Sequence, residues 1–371
     1  MCGRGRCCRS GSGIIRAMRS RVTSFDVARL AQVSQSAVSR AFTPGASVSE
    51  ATRRQVLEAA SKLGYRPNAH ARSLITKRSR IIGLVLSYLD NLLYPVALQR
   101  LAERLQQSGY HALLFVNHNP NADHLVEELL QYHVDGIVLA ATTLSSALAR
   151  NCADAEIPVV LFNRVMRDGS VGTVSSVRSD NVGGGRAVGR FLAEGGHHRI
   201  AYVAGNEDSS TNLERERGFR EGLGEAGLHI WARATGDYNY GRACAAAREL
   251  FKPARERPDA VFAASDHMAI AVMDTLRFEL GLRVPQDVSV VGFDNVPQAA
   301  WPSYALTTVE QPIEPMIEST VAILANHLRR ETSSIAEDVI VPGELIVRGS
   351  ARLPAVFARR KSRRAAAASG P

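Results

Sequence analysis

Two rhythms of apolar residues divide the chain. From Thr23 to Gly64 they recur every three or four positions in three short bursts, the spacing of helices with one buried face. Thr23-Ser-Phe-Asp26 opens the first burst as a threonine cap with an acid three residues on, an arrangement that also suits the positive helix end. Val27, Leu30 and Ala31 form its apolar face. After a break at Gln32-Val33, Ser34 caps a second helix, Gln35 to about Thr43, with Ala37, Val38 and Ala41 inward and Gln35, Ser36, Ser39 and Arg40 free. Pro44-Gly45 stops it. Ser49 caps a third helix that runs to Leu63, with Val56, Leu57, Ala60 and Leu63 on one face and Gly64 as its stop. Two short helices across a tight turn, braced by a third, predict a helix-turn-helix domain, with a generic three-helix bundle as the bland alternative.

Past Arg80 the rhythm changes to short continuous apolar runs alternating with amphipathic stretches. Strands are predicted at Ile81–Leu86, Ala112–Val116, Gly136–Ala140, Val159–Phe162, Ile200–Ala204, Ala260–Ala263 and Val288–Phe293. Helices at Pro95–Gln107, Asp123–Tyr132, Gly183–Glu194, Glu214–Ala226 and Met268–Leu280 lie between them. That alternation indicates parallel α/β sheets covered on both faces. The stretch is too long for one such sheet, so two lobes with a ligand crevice at the strand ends are expected.

Charge sharpens the division. Residues 1–20 hold five arginines and no acid, and residues 21–80 hold eleven Lys/Arg against Asp26, Glu50 and Glu58. Residues 81–358 carry 24 basic and 33 acidic residues, before a second basic cluster at Arg359–Arg364. A basic head on an acidic body suits a polyanion partner at one end, although charge alone does not separate DNA from RNA. No apolar run approaches the roughly 20 residues that span a bilayer, and Met1–Ser20 lacks the apolar core of a secretory signal, so a cytoplasmic location is expected. Met18 is a second candidate start. Cys2, Cys7, Cys8, Cys152 and Cys244 form no paired CxxC pattern, and neither a metal nor another cofactor is expected.

The segment Phe25-Asp-Val-Ala-Arg-Leu-Ala-Gln-Val-Ser-Gln-Ser-Ala-Val-Ser-Arg40, then Val48-Ser49, Leu63-Gly-Tyr-Arg-Pro-Asn68 and Ala71-Arg-Ser-Leu74, closely resembles the signature of the lactose-repressor (LacI) family. The resemblance continues to about Arg352 through Gly196-His-His-Arg-Ile-Ala201, Ala264-Ser-Asp-His-Met-Ala269 and Val284-Pro-Gln-Asp-Val-Ser-Val-Val-Gly-Phe-Asp294. It implies an α/β chain in five parts. A flexible basic extension (1–20) precedes the helix-turn-helix three-helix DNA-binding domain (21–67) and a hinge helix with linker (68–79). A two-lobed, periplasmic-binding-protein-like sensor and dimerisation domain (80–355) and a basic disordered tail (356–371) follow. Gln35, Ser36 and Arg40 fall where the family reads the major groove, with Thr23, Ser34 and Ser39 beside them. Arg40 has the fork to contact guanine, and Gln35 can pair with adenine or a phosphate. Asn68 and Arg72 fall on the hinge helix, and Leu74 falls at the leucine that wedges into the minor groove. One departure is Gln32, where the family usually has Gly; a left-handed backbone there would cost about 1 kcal/mol.

The same carry-over places Asn163, Arg215 and Tyr238 at ligand positions, with Ser265 and Asp294 at two later strand ends and Asn91 and Tyr94 reaching the crevice from the amino-terminal lobe. A carboxylate, an arginine fork and an aromatic face are groups that hold a polyhydroxylated ring. Asp266 fits better as a cap for its helix. Gly183-Gly-Gly185 lacks the flanking residues of a phosphate loop and fits close helix packing. The expected protein is a regulator, a repressor in the commoner pattern, that binds a near-palindromic double-stranded DNA operator as a homodimer or tetramer. A small-molecule effector, a sugar or sugar acid, would control it; a nucleobase corepressor is the alternative. A sugar-binding transport component would share the lobes but has no use for residues 23–75. The chain lacks a G-x-S-x-G elbow and a triad order, so an enzyme is not expected.

Overall fold

The computed structural model describes residues 22–43, 45–66, 78–118, 121–166, 174–252, 256–329 and 336–355. The chain divides into two compact units, residues 1–77 and 78–371.

The first unit is a three-helix domain: α1 (Ser24–Leu30), α2 (Gln35–Ala41) and α3 (Glu50–Leu63). Each start is capped as the sequence predicts. Thr23 and Asp26 form a reciprocal capping box, the Ser34 hydroxyl accepts from the Ala37 amide, and the Ser49 hydroxyl accepts from the Thr52 amide. Gly64 ends α3 in the left-handed conformation, φ 65°. Val27, Ala28, Val38, Ala41, Val56, Ala59 and Ala60 make the core. Among the residues expected inward, Ala37 is only half-buried, and two are exposed, Leu30 at 50% and Leu57 at 45%. Each stands roughly 100° around its helix from the centre of the buried arc, and Ala28 and Ala59 fill the places instead. Gln32 adopts φ 52°, the strained left-handed turn that its position implies.

The second unit carries two six-stranded sheets. The first contains β1 (Ile81–Ser87), β2 (His111–Asn117), β3 (Gly136–Ala140), β4 (Val159–Phe162), β5 (Ser175–Ser179) and β11 (Asp338–Val341), all parallel and ordered β11-β5-β4-β3-β1-β2. The second contains β6 (Ile200–Ala204), β7 (Ala232–Thr235), β8 (Ala260–Ala263), β9 (Ser289–Asp294), β10 (Thr307–Glu310) and the antiparallel β12 (Leu345–Ile346), ordered β12-β10-β9-β8-β6-β7. Helices α4 (Leu93–Gln107), α5 (Asp123–Gln131), α6 (Ser146–Asp154) and α11 (Ile313–Arg329) belong to the first lobe. Helices α7 (Asn181–Glu194), α8 (Ser210–Gly224), α9 (Tyr240–Phe251) and α10 (Asp266–Asp274) belong to the second. The chain passes between the lobes at Asp180, at Gln311-Pro312 and at residues 342–344.

The second lobe depends on an intimate crossing of α7 and α8. A Cβ on Gly185 would overlap the Arg215 carbonyl oxygen, and one on Gly218 would overlap the Val182 carbonyl oxygen. Of the glycine run, Gly185 thus serves backbone-to-backbone packing, while Gly184 makes room for the Phe293 ring. Gly185→Ala is expected to lower stability by about 1–3 kcal/mol through overpacking, read as a lower melting temperature in calorimetry. Gly224→Ala at the end of α8, where a Cβ meets open space, is expected to leave the melting temperature unchanged or raised.

Candidate functional site

A cleft with about 250 Å³ of empty space, part of it open to solvent, lies where the strands of both lobes end. Tyr88 follows β1, Asn91 precedes α4, Leu93 and Tyr94 begin it, and Asn163 and Arg164 follow β4. From the other lobe come Thr211 and Arg215 on α8, Tyr238 after β7 and Asp294 at the end of β9, with Gln311 in the second passage between lobes. Carboxyl ends of parallel strands are where loops can gather polar groups without breaking the sheet. Four of these residues hold positive φ: Tyr88 at 58°, Asn163 at 59°, Tyr238 at 54° and Asp294 at 138°. Such backbone is unfavourable for residues with a side chain, and clusters of it mark binding sites.

Arg215 organises the second-lobe wall. Its side chain is buried, its guanidinium lies 3.7 Å from the Phe293 ring centroid, and its Nε donates to Asn181 Oδ1 at 2.9 Å. Its Nη1 donates to the Ala264 carbonyl and faces Asp294 Oδ1 at 3.4 Å. Gln311 Nε2 donates to the same Asp294 oxygen at 2.6 Å. Burial pushes the Asp294 carboxyl above the ordinary carboxylate range, and the Arg215 charge opposes that shift. Asp294 Oδ2 and Asn163 Oδ1 are buried and have no protein hydrogen-bond partner. Buried acceptors of that kind are what a hydroxyl-bearing ligand satisfies.

Both lobes also touch directly. Arg164 donates to Thr211 Oγ1 at 3.0 Å, and the Tyr88 and Tyr238 rings meet edge-on at 6.3 Å. Arg178 of β5 pairs with Glu214 of α8 at 3.0 Å, with both side chains mostly buried.

Six of the sequence-derived effector residues therefore share one cleft: Asn91, Tyr94, Asn163, Arg215, Tyr238 and Asp294. Ser265 is outside it, because its hydroxyl is turned back to cap α10 by accepting from the Met268 amide. Asp266 is not the cap. Its carboxylate accepts from the Val296 amide at 2.9 Å and the Thr308 hydroxyl at 2.5 Å, tying α10 to the neighbouring strands. Burial and the nearby Asp294 push its carboxyl up. Tyr88, Leu93, Arg164, Thr211 and Gln311 were not singled out from sequence. For two of them a signal exists: Arg164 adjoins Asn163 after a strand, and Gln311 follows β10 as Asp294 ends β9.

On the first unit, Gln35, Ser36, Ser39 and Arg40 are all exposed on α2. Gln35 Nε2 donates to Ser24 Oγ at 2.9 Å, and the Ser34 and Ser36 hydroxyls share a hydrogen bond of 2.9 Å. Thr23 and Ser34 occupy the two caps beside them. Asn68, Arg72 and Leu74 lie outside the described residues. Among the described residues no group of His, Cys, Asp and Glu could hold a metal ion, and no helix is long and apolar enough to cross a membrane.

The family model for bacterial regulatory proteins of the lacI family matches residues 25–68, and the periplasmic binding protein-like domain matches residues 189–351. The HTH-type transcriptional regulator CelR of Thermobifida fusca is 35% identical over 90% of this chain and 99% of its own. A solved CelR–cellobiose complex is 34% identical, with a TM-score of 0.66 over 89% of this chain and 100% of that one. The lac repressor dimer bound to operator and the anti-inducer ONPF is 26% identical, with a TM-score of 0.79 over 89% of this chain and 99% of that one. With a helix-turn-helix unit, a two-lobed α/β unit and a relative that matches along nearly its whole length, the chain belongs to the lacI family of DNA-binding transcriptional regulators.

Proposed function

We propose that the protein is a repressor that binds a near-palindromic operator as a homodimer, and that a sugar-class effector in the cleft sets its operator affinity. The observation that carries this reading is the pairing, on one chain, of a separately folded helix-turn-helix with an interlobe cleft holding buried, unpartnered acceptors. Relatives support both halves: a lac repressor dimer binds operator, and CelR is solved with cellobiose. Ligand held by Asn163 on one lobe and Asp294 on the other would favour one degree of lobe closure, and closure would change how two copies present their DNA-binding units. Among the described residues the cleft lining holds one carboxylate and neither histidine nor cysteine, which favours binding over turnover.

A second copy has a suitable surface. Asp274 accepts from the Tyr240 hydroxyl at 2.8 Å and the Tyr304 hydroxyl at 3.4 Å, so α9, α10 and the segment after residue 300 share one face. Tyr240 on α9 is 41%, Phe278 four residues after Asp274 82% and Trp301 three residues before Tyr304 51% exposed. Aromatic groups clustered this way are typical of interface centres, and an isologous dimer buries each patch twice. Phe278→Glu is expected to shift the protein from dimer to monomer in sedimentation and to weaken operator binding with it.

Mobility shift on the DNA upstream of the gene should show a specific, salt-sensitive complex; only salt-sensitive, sequence-indifferent binding would reject the regulator. Arg40→Ala is expected to weaken that complex on the order of tenfold to hundredfold. Asp294→Asn should abolish the melting-temperature rise that the effector gives to the parent protein; an unchanged rise would remove Asp294 from the site.

A further inference from the structure

The charges in the cleft do not balance. Its lining holds two guanidiniums, Arg164 and Arg215, and a single carboxylate, Asp294. Asp294 is engaged by Arg215 and by the Gln311 amide. Arg164 is only 5% exposed, yet its hydrogen bonds go to neutral oxygens: the Asn163 carbonyl at 2.7 Å and the Thr211 hydroxyl at 3.0 Å. Nearby acids are committed elsewhere. Asp237 pairs with Arg242 and accepts from Asn206, and Glu214 pairs with Arg178 and accepts from Asn181. Among the described residues no carboxylate forms an ion pair with Arg164.

A guanidinium removed from water and left with neutral acceptors is costly, and buried charges are normally paired. Asn163 next to it contributes an amide where a carboxylate would have restored neutrality. Arg164 also sits beside phenol groups: its charge acts on both the Tyr88 and the Tyr94 hydroxyls, which are O–H donors facing the same space. A fixed cation with neighbouring hydroxyl donors is a receptor for an oxyanion, and arginine binds carboxylate or phosphate through two parallel N–H bonds.

We infer that the effector is an anionic sugar derivative, a sugar acid or a sugar phosphate, whose carboxylate or phosphate group is held by Arg164 while its hydroxyls meet Asp294 and Asn163. The inference rests on the reading of the cleft as an effector site and adds the charge class of what enters it. It differs from a neutral-sugar site in a single respect: one positive charge in the wall has no ion-pair partner among the described residues.

The test uses full-length protein and a panel of D-glucose, D-galactose and D-mannose with the matching uronates, aldonates and hexose 6-phosphates. At least one anion is expected to raise the melting temperature and bind by calorimetry at least about tenfold tighter than its neutral parent. The acid and phosphate arms separate the two sources of the oxyanion. Arg164→Gln is expected to remove that preference, and Arg164→Lys, which keeps the charge, to retain part of it. A neutral sugar that binds as tightly as its anion, a panel in which no anion binds, or an unchanged preference in Arg164→Gln would overturn the inference. The regulator reading is judged separately, by the operator complex of the unliganded parent protein.

Discussion

The buried guanidinium of Arg215 is the constraint on which the sensing unit depends. A charge so enclosed is tolerable only if every neighbour is placed to receive it, and here the neighbours come from separate parts of the lobe. Phe293 supplies a ring face, Ala264 a carbonyl, Asn181 an amide oxygen and Asp294 a carboxylate. Removing one partner of such a pair leaves an uncompensated buried charge, worth about 3–5 kcal/mol. Asn181 begins α7 directly after the first passage between lobes, and Gln311, on the other side of Asp294, lies in the second. Groups lining the cleft are thus one hydrogen bond away from two of the segments by which the chain passes between the lobes.

That position requires α8 to lie very close to α7, which is why small residues recur on both helices. Gly185 and Gly189 on one, and Gly218 and Gly222 on the other, let backbone meet backbone. The alignment sets Arg215 at the depth of the cleft instead of on a solvated helix face. The charged run Glu214-Arg-Glu-Arg217 does not announce this. Within it, Glu214 turns to Arg178 and Asn181, Arg215 turns inward, and Glu216 turns outward to Arg220 and Arg233. Helical periodicity separates these fates, but only once the packing of the helix is known.

Legibility follows the same physics. Strands buried on both faces, such as Gly136–Ala140, Val159–Phe162, Ile200–Ala204 and Ala260–Ala263, are continuous apolar runs, and their predicted and observed limits coincide. β5, Ser175-Ser-Val-Arg-Ser179, does not look like a strand because its side chains make polar contacts: Ser176 and Arg178 bind Asp338 on the neighbouring β11, Arg178 also pairs with Glu214 of the other lobe, and Ser179 meets Gln311 in the second passage. The edge strands β7 and β11 fail for a related reason, since half-exposed edges mix polar and apolar residues. In the first unit the helices and caps were readable, whereas the exposure of Leu30 and Leu57 was not: a seven-residue α1 offers too few turns to fix its buried arc, and on α3 the alanines Ala59 and Ala60, not Leu57, complete the buried arc with Val56. In the cleft, residues at strand ends were legible, and Ser265 shows the limit of that rule: a strand-end hydroxyl serves equally well as a helix cap.

The two units obey opposite electrostatic demands, which explains why they are built so differently. Binding a polyanion needs exposed cations that release counterions, and α2 offers Arg40 and amide and hydroxyl groups on its solvent side, above a core of small residues. Selecting a small molecule needs few charges, each desolvated and fixed, so that a misplaced ligand atom leaves one unsatisfied. In the cleft the backbone itself bears part of that demand: Asn163 and Asp294 present their unpartnered oxygens from positive-φ positions. A side chain held by a strained backbone has little freedom left to lose on binding, so in the proposed function ligand contact would act mainly on the relation between the lobes that carry the two residues.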